Sequence, residues 1–486
     1  MQPRILYIWI ILFSYGRFAQ AQSPQIPIPG TFQQITTTQS YSTQNSNYNS
    51  FQTSSNNYPT GASAQNIINQ TNRSSMQVMG YTPQPTQEEM KADYYNTLAT
   101  ARQKKTQDFF NELNTFNNSA RPVDPKVLEE LAKTKKRLRT ADTSSVDFIN
   151  HLKYYNNAYN EIVSMLSGKS SLNLKRAVFV VENAYHKNKL SYEKYCRQID
   201  GLTFICRQIM HENGVNEKNY MACHYAIQKL FSEKVIYKNA EEKTETFEPF
   251  GYDFVDVFAD NDQTKGFVTK LLNTKIGQCH SMPLLYLIIA NELNANAYMA
   301  LAPNHSYVKF GNQYQQYGFE TTNGTFTTDE WIVASGYISP AAIKNKIYLA
   351  PLTKDKVIAE CLVDLEEGLD FLFGKSSFSI KCANTTLKYF PNSIGAILTI
   401  NNVINAKCAQ TAKEYQFPKE EEYAKFPRLK KQFDELIAFE LKVEQTGYLK
   451  ISKDQYENWQ QTANEEKQKR EHLKLLSKLK ESANGK

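Results

Sequence analysis

The sequence predicts an α+β protein in which a short β-rich core lies between two mainly helical regions. Apolar residues recur with helical spacing on both sides of residues 246–350, whereas Gly, Pro and short β-rich runs are concentrated within that range. The 486 residues allow about three domains. A hydrophobic share of 41% and an aromatic share of 12% supply enough apolar surface for a sizeable core.

Composition and short motifs exclude several classes of partner and cofactor. The formal charge of +7 is small for this length, so we expect no nucleic-acid partner. No internal run of about 18 apolar residues occurs, so we expect no stable membrane span once the N-terminal segment has been removed. The sequence contains no CxxC pair, Walker loop or GxGxxG motif, so we expect neither a metal site nor a cofactor.

Residues 1–21 predict a signal peptide. Arg4 provides a basic n-region, residues 5–15 an apolar h-region, and Ala19-Gln20-Ala21 a small-x-small cleavage site. We therefore expect a mature chain that is periplasmic, displayed on the cell surface or secreted. The alternative is an uncleaved anchor, but the apolar run is shorter than the ~20 residues that a membrane span needs.

Three further regions flank or precede the core. Residues 22–87 are rich in Gln, Ser, Asn and Thr, which predicts a disordered linker, because such a composition buries little apolar surface. Residues 88–245 are richer in charged and helix-forming residues and predict a helical domain. Helical spacing returns in residues 351–486, where pairs of helices would permit a repeat-type, TPR-like tail.

A candidate nucleophile lies at the start of a helix within the core. Gly277-Gln278-Cys279 directly precedes a long apolar run with helical character. Ser281 would cap this helix, so Cys279 would lie at its N-terminus. There the helix dipole and the backbone N–H groups favour a thiolate and could stabilise an oxyanion. Gly277 would let the backbone turn tightly into this position.

Two strand-like runs after that helix predict a β-hairpin around Gly311-Asn312. With a two-residue turn, His305 would face Gly318. Glu320 would then lie on the same face as His305, as a diagonal neighbour ~7–8 Å away. The hairpin would place an imidazole beside a carboxylate, and the preceding helix could supply the thiol. A thiol, a His base and an acidic orienting group are the components of thiol acyl transfer.

This order of residues resembles the transglutaminase-like superfamily of papain-like folds. The similarity lies in a Gly-x-Cys at a helix start, a strand with His, and a carboxylate followed by Thr, all within residues 246–350. The exported bacterial members, which have helical-repeat tails, are the most similar in pattern. The resemblance implies a core of a helix and an antiparallel sheet, with Cys279 as nucleophile, His305 as base and Glu320 as the acidic third member.

The sequence departs from the family pattern at two positions. The third member is commonly Asp in the family, whereas this chain has Glu320. The aromatic residue that often follows the catalytic His is displaced to Tyr307 by Ser306. The GYLKISKDQYENW segment at residues 447–459 is similar to the helical tails that accompany the family.

Other residues are candidates for supporting roles. We expect Gly277, Gln278 and His280 to support the nucleophile and the oxyanion. His280 could also bind substrate or replace His305 as the base, although a surface role fits its place in the sequence better. Candidates for lining a substrate site are three aromatic residues: Tyr307, Trp331 and Tyr337.

Several residues compete with these assignments. Cys223-His224 lies within an amphipathic helix pattern, so we expect Cys223 to be a core residue or to form a disulfide. Asp329 and Glu330 are rival carboxylates, but they follow the strand, where Asp329 would cap a helix. Cys279 itself could be a buried structural thiol, because free cysteines are often core residues.

The chain contains seven cysteines, so at least one cannot pair within the chain. Cys279 is the expected unpaired thiol because a nucleophile cannot remain in a disulfide. We interpret the other six as structural. Three lie on each side of the core, so either a bridge joins the two helical regions or two more thiols stay reduced: Cys196, Cys206, Cys223, Cys361, Cys382 and Cys408.

The resemblance implies thiol-dependent acyl transfer or amide hydrolysis on a protein or peptide substrate. An alternative is an inactive scaffold of the cell envelope that binds a protein partner, for example through its helical tail. A third hypothesis is an adhesive structural protein that uses residues 22–87. Asn304-His305-Ser306 is also an N-glycosylation sequon, and a glycan there would obstruct the base. An active enzyme therefore implies a lineage that does not glycosylate Asn, or an occluded sequon.

Overall fold

The computed structural model of the chain describes residues 136, 139–311, 315–335, 338–416, 418 and 420–449. The predicted signal peptide, the predicted linker, residues 88–135 and Tyr337 lie outside the described residues. So does the part of the GYLKISKDQYENW segment that begins at Lys450.

Four helices form the first part of the described chain. They are α1 (Val146–Leu166), α2 (Leu174–Tyr185), α3 (Tyr192–Glu212) and α4 (Tyr220–Ser232). A polar side chain at each N-cap accepts a hydrogen bond from a backbone N–H of the first turn, which fixes where each helix begins. These caps are Ser145, Asn173, Ser191 and Asn219.

Short strands and two helices precede the main sheet. Strands β1 (Val235–Lys238) and β2 (Thr244–Phe247) form an antiparallel pair. Strand β3 (Gly251–Tyr252) pairs in parallel with β4 (Ile276–Gly277), and a 3₁₀ turn (Gln263–Gly266) and α5 (Val268–Thr274) lie between them in sequence. Helix α6 (Ser281–Glu292) follows directly.

A four-stranded antiparallel sheet packs against α6. Its strands, in spatial and chain order, are β5 (Ala297–Ala302), β6 (His305–Gly311), β7 (Gln316–Glu320) and β8 (Thr325–Thr327). One face contributes Val308 and Phe310 to the hydrophobic cluster that includes α6. The opposite face contributes Tyr307 to a second cluster. Because both faces are covered, six of the seven residues of β6 are buried.

Helices form the remaining part of the described chain. They are α7 (Asp329–Ser335), α8 (Pro340–Lys344), α9 (Lys354–Phe373), α10 (Ser377–Tyr389), α11 (Ile394–Glu414) and α12 (Pro427–Gln445), with a 3₁₀ turn (Glu420–Lys425) before α12. Helix α9 packs against α1 and α2 as well as against α10. Helices that precede and follow the sheet in sequence therefore share one hydrophobic cluster.

The described residues combine helices with small, mostly antiparallel sheets, which confirms the predicted α+β class. Within these residues, no helix is long and apolar enough to cross a membrane.

The structure corrects the predicted hairpin register. Gly311 pairs with Gln316 and Lys309 with Gly318, so Gly318 does not face His305. Four residues, rather than the predicted two, therefore connect Gly311 with its partner Gln316. The reason lies at Gly311, which has a φ of +126° and lies so close to Gln315 that a Cβ would meet its carbonyl oxygen. Gly311 is therefore the last paired residue of β6 and not a residue of the turn.

The predicted structural disulfides are also wrong. All seven cysteines lie within the described residues, and none forms a disulfide. Five of them are buried on helices that contribute to the hydrophobic clusters, where a thiol behaves as a small apolar group. These five are Cys206, Cys223, Cys361, Cys382 and Cys408.

Candidate active site

Cys279 lies two residues before the first residue of α6. His280 occupies the N-cap position without a side-chain capping bond, and Ser281 is the first helical residue, so the expectation that Ser281 caps the helix is wrong. The Ser281 hydroxyl instead accepts a hydrogen bond from the backbone N–H of Gln278 at 3.1 Å. This bond tightens the segment that carries Cys279. The thiol is therefore at the N-terminal end of a 12-residue helix, where the dipole favours a thiolate.

Gly277 has a different role from the predicted one. It belongs to the short strand β4 and has no left-handed backbone conformation. A Cβ at this position would lie 2.9 Å from both Leu271 Cδ1 and Ser281 Oγ. The residue must therefore be Gly because α5 and the start of α6 approach it closely, and not because of a tight turn.

His305 and Glu320 form a buried pair. His305 Nε2 lies 2.6 Å from Glu320 Oε2, and the two side chains are only 4% and 6% exposed. The observed register differs from the predicted one by four positions, which is an even number, so the two residues keep the same face of the sheet. The predicted pairing of imidazole and carboxylate therefore holds, although the register from which it was derived does not.

The thiol of Cys279 is also in contact with His305. Burial opposes protonation of His305, but the charge of Glu320 and hydrogen bonds to Cys279 and Glu320 raise its pKa to about 10. The structure therefore brings the three predicted residues together in the order thiol, imidazole, carboxylate. A protonated imidazole at neutral pH stabilises a neighbouring thiolate.

The residues around His305 also hold the backbone of Cys279. Ser306 Oγ donates a hydrogen bond to the Cys279 carbonyl at 2.5 Å. Cys279 Sγ lies 3.7 Å from the carbonyl oxygen of Asn304, which has a φ of +54°. The residues on either side of His305 in sequence, Asn304 and Ser306, therefore both contact Cys279. The prediction overlooked the role of Ser306, although its place directly after His305 marked the departure from the family pattern.

His280 does not take the place of His305. Its ring is half-exposed, and Nε2 lies 3.3 Å from Asp364 Oδ2 on α9. Partial burial opposes protonation, but the nearby charges, chiefly that of Asp364, raise the pKa of His280 to about 9. A second positive charge is therefore adjacent to Cys279 in the chain. No sequence signal indicated Asp364, because it is 84 residues away from His280.

The remaining predicted residues take structural positions. Gln278 is buried, and its side-chain amide donates to the Asp256 carbonyl at 3.0 Å, so this amide holds a loop rather than an oxyanion. Tyr307 was expected to line a substrate site, but it is fully buried, and its hydroxyl donates to Asp329. Burial of both faces of β6 explains this difference. Trp331 is half-buried beside the second cluster.

The rival candidates are separate from the three-residue site. Asp329 begins α7 and forms an ion pair with Lys309 at 2.6 Å, so it is not a partner of His305. Cys223 and His224 are buried. The His224 ring nitrogens contact the Tyr286 hydroxyl and a backbone carbonyl, and burial lowers its pKa to about 4. These two residues belong to the core.

No group of three or more His, Cys, Asp or Glu side chains within the described ranges is arranged to hold a metal ion. No protein-family model, curated protein or solved structure matches the chain.

Proposed function

We propose that the chain is a transglutaminase-like cysteine enzyme that performs acyl transfer or amide hydrolysis on a protein or peptide. One observation carries the proposal. Buried His305 contacts Glu320 through one ring nitrogen and interacts with Cys279, which lies at the N-terminal end of α6. A nucleophile, a base and an orienting group in mutual contact are what thiol acyl transfer requires.

The contacts support a specific order of proton transfers. The Cys279 thiolate attacks the amide carbonyl, and the N-terminal end of α6 stabilises the negative charge on the resulting oxyanion. Protonated His305 then donates its proton to the departing amine, which leaves a thioester on Cys279. Neutral His305 next takes a proton from water or from an acceptor amine as that group attacks the thioester. The acyl group is transferred to it, and Cys279 is released as the thiolate beside protonated His305. Glu320 keeps the imidazole oriented and stabilises its charged form.

Selective alkylation tests the activation of the thiol. Cys196 is a matched control, because it and Cys279 are the two cysteines that are only partly buried. We expect iodoacetamide at neutral pH to modify Cys279 faster than Cys196, as measured by intact mass and peptide mapping of the native protein. His305→Ala should lower the rate at Cys279 and leave that at Cys196 unchanged. Equal rates at the two cysteines would contradict an activated nucleophile.

Turnover needs a separate measurement. We expect the protein to release ammonia from a glutamine-containing peptide, or to incorporate a labelled primary amine into it, and Cys279→Ala to abolish both. Amine incorporation would indicate a transglutaminase, and ammonia or peptide release without it a hydrolase. Rapid alkylation of Cys279 without either product would instead favour the inactive scaffold.

The proposal includes export to a periplasm, cell surface or medium that lacks Asn glycosylation. The first 21 residues have the composition of a signal peptide. Asn304 is exposed, so burial does not protect the sequon beside the base. N-terminal sequencing of the mature protein tests this: it should begin at Gln22. A chain that retains residues 1–21, or that carries a glycan at Asn304, would contradict it.

A further inference from the structure

A cavity of about 800 Å³ lies beside the sheet, outside the three-residue site. Its walls come from α7, α8, the segment at residues 346–352, the first turn of α9 and the turn after α10. Most of the lining is apolar, including Val333, Tyr348, Leu352 and Phe390. A cavity of this size and lining can accommodate a side chain together with the neighbouring part of a peptide.

Two lysines give the cavity a positive charge. Lys346 and Lys356 line it, and neither forms an ion pair with an acidic side chain of the described residues. The Lys356 ammonium lies 5.5 Å from the centre of the Phe390 ring, which is one of the apolar walls. The cavity therefore combines two ammonium groups with aromatic and aliphatic surface.

The carboxylates of the cavity do not neutralise these lysines. Asp329 accepts hydrogen bonds from Tyr307 and Lys309, so its charge is compensated on the sheet side. Glu330 is exposed to solvent and forms no ion pair with Lys346 or Lys356 within the described residues; hydrogen bonds to its own backbone and to Thr328 lower its pKa. An anionic group that enters the cavity would therefore meet two ammonium groups without an acidic partner of their own.

Two elements run from residues beside Cys279 toward the cavity, and their lengths give the scale of the separation. Helix α9 carries Asp364, the partner of His280, and Lys356 is eight residues earlier, which is about 12 Å along a helix axis. Strand β6 carries His305, and Lys309, which binds a wall residue of the cavity, is four residues later, or about 13 Å along a strand. An extended peptide covers this distance in about four residues.

We propose that this cavity is a specificity subsite that binds an acidic residue with apolar neighbours, about four residues from the reacting amide of a peptide substrate. The proposal rests on the proposed function of Cys279, because the cavity itself has no nucleophile. The substrates would then be peptides with a carboxylate at one defined distance from the reacting amide. It also assigns Lys346 and Lys356 as the residues that select that carboxylate.

Peptide probes with a chloroacetamide group test the subsite. One probe has Glu four residues from the chloroacetamide, a second has Gln there, and a third has Glu at two residues, all in the same Leu- and Ala-containing sequence. The measurement is the second-order rate of Cys279 modification. We expect the first probe to react about 10-fold faster than the other two, as two partly exposed ion pairs permit.

Variants then connect the preference to the lysines. The double variant Lys346→Gln/Lys356→Gln should remove the preference for Glu at four residues. A matched control is Lys344→Gln/Lys354→Gln, which changes the same net charge on neighbouring exposed residues that do not line the cavity. The control should retain the preference. Circular dichroism and urea unfolding establish that each variant folds.

The two proposals fail in different ways. Iodoacetamide, which is too small to reach the subsite, should modify Cys279 equally fast in both double variants and in the unsubstituted protein. Slow iodoacetamide modification of the unsubstituted protein would refute the activated thiol. Fast iodoacetamide modification with equal rates for the three peptides, or with a Glu preference that survives in Lys346→Gln/Lys356→Gln, would overturn the subsite alone.

Discussion

Replacement of Glu320 by Gln tests the electrostatic core of the site. The substitution keeps the size of the side chain and removes the negative charge 2.6 Å from His305 Nε2. The pKa of His305 is raised from 6.5 to about 10 although burial opposes protonation, so favourable charges and hydrogen bonds must exceed the cost of burial. Loss of one partner of a buried ion pair costs about 3 kcal/mol, which corresponds to a decrease of about 2 units in the pKa of His305.

This decrease has a defined effect on stability. Because the pKa of His305 is higher in the folded state, its contribution to the free energy of unfolding is complete below pH 6.5. The contribution is lost as the pH rises through about 10. In Glu320→Gln the contribution of His305 should be lost at a pH about 2 units lower. We expect the variant to be destabilised by about 3 kcal/mol at pH 6 and by much less at pH 10.

Urea unfolding at pH 6, 8 and 10 measures this difference, and the rate of Cys279 alkylation between pH 5 and 10 reports on the thiolate. Alkylation at pH 7 should decrease about 10- to 100-fold in Glu320→Gln, because a less basic imidazole stabilises the thiolate less. Glu330→Gln is the control, since Glu330 is exposed and does not contact His305. Unfolding curves for Glu320→Gln that parallel those of the unsubstituted protein at all three pH values would refute the reasoning.

Three other substitutions test the supporting contacts. Ser306→Ala removes the hydrogen bond to the Cys279 carbonyl and should lower the free energy of unfolding in urea by about 1 kcal/mol. Alkylation of Cys279 should also be slower, and an unchanged rate would contradict a role of Ser306 in positioning Cys279. Gly277→Ala should destabilise the protein by about 1–3 kcal/mol, because a Cβ there overpacks against its neighbours. The control Gly201→Ala, in an open helical position, should stabilise it by about 0.5–1 kcal/mol. Equal effects of the two substitutions would contradict the close approach of α5 and α6 to Gly277. Asp364→Asn should shift the pKa of His280 from about 9 toward 6.5 in an NMR titration; no shift would exclude Asp364 as its cause.

Local patterns in the sequence were sufficient for several elements of the site. The apolar run after Cys279 forms α6, whose first ten residues, 281–290, are all buried. The run at residues 297–303 predicted a strand, and β5 occupies Ala297–Ala302. Both elements are determined by local periodicity, and α6 is apolar on every face because it lies in the middle of the hydrophobic cluster. The positions of Cys279 just before α6 and of His305 just after β5 were therefore predictable.

Contacts between distant segments were not predictable in the same way. Asp364 reaches His280 because α9 packs beside the start of α6, and no local pattern encodes that packing. Burial of Tyr307 depends on the helices that cover the second face of the sheet. A two-residue turn was predicted at Gly311-Asn312 because Gly-Asn favours short turns. In the structure Gly311 lies close to Gln315, so the pairing of β6 with β7 includes Gly311 and the connection is longer.

The cysteine count suggested Cys279, the proposed nucleophile, for an incomplete reason. An odd number singles out one thiol only if the other six form disulfides, and none of them does. What distinguishes Cys279 is its environment. Burial raises the pKa of all five buried thiols, which suppresses their thiolate forms. Of the two partly buried thiols, Cys279 alone lies beside the His305–Glu320 pair, so electrostatics and access select it without any disulfide.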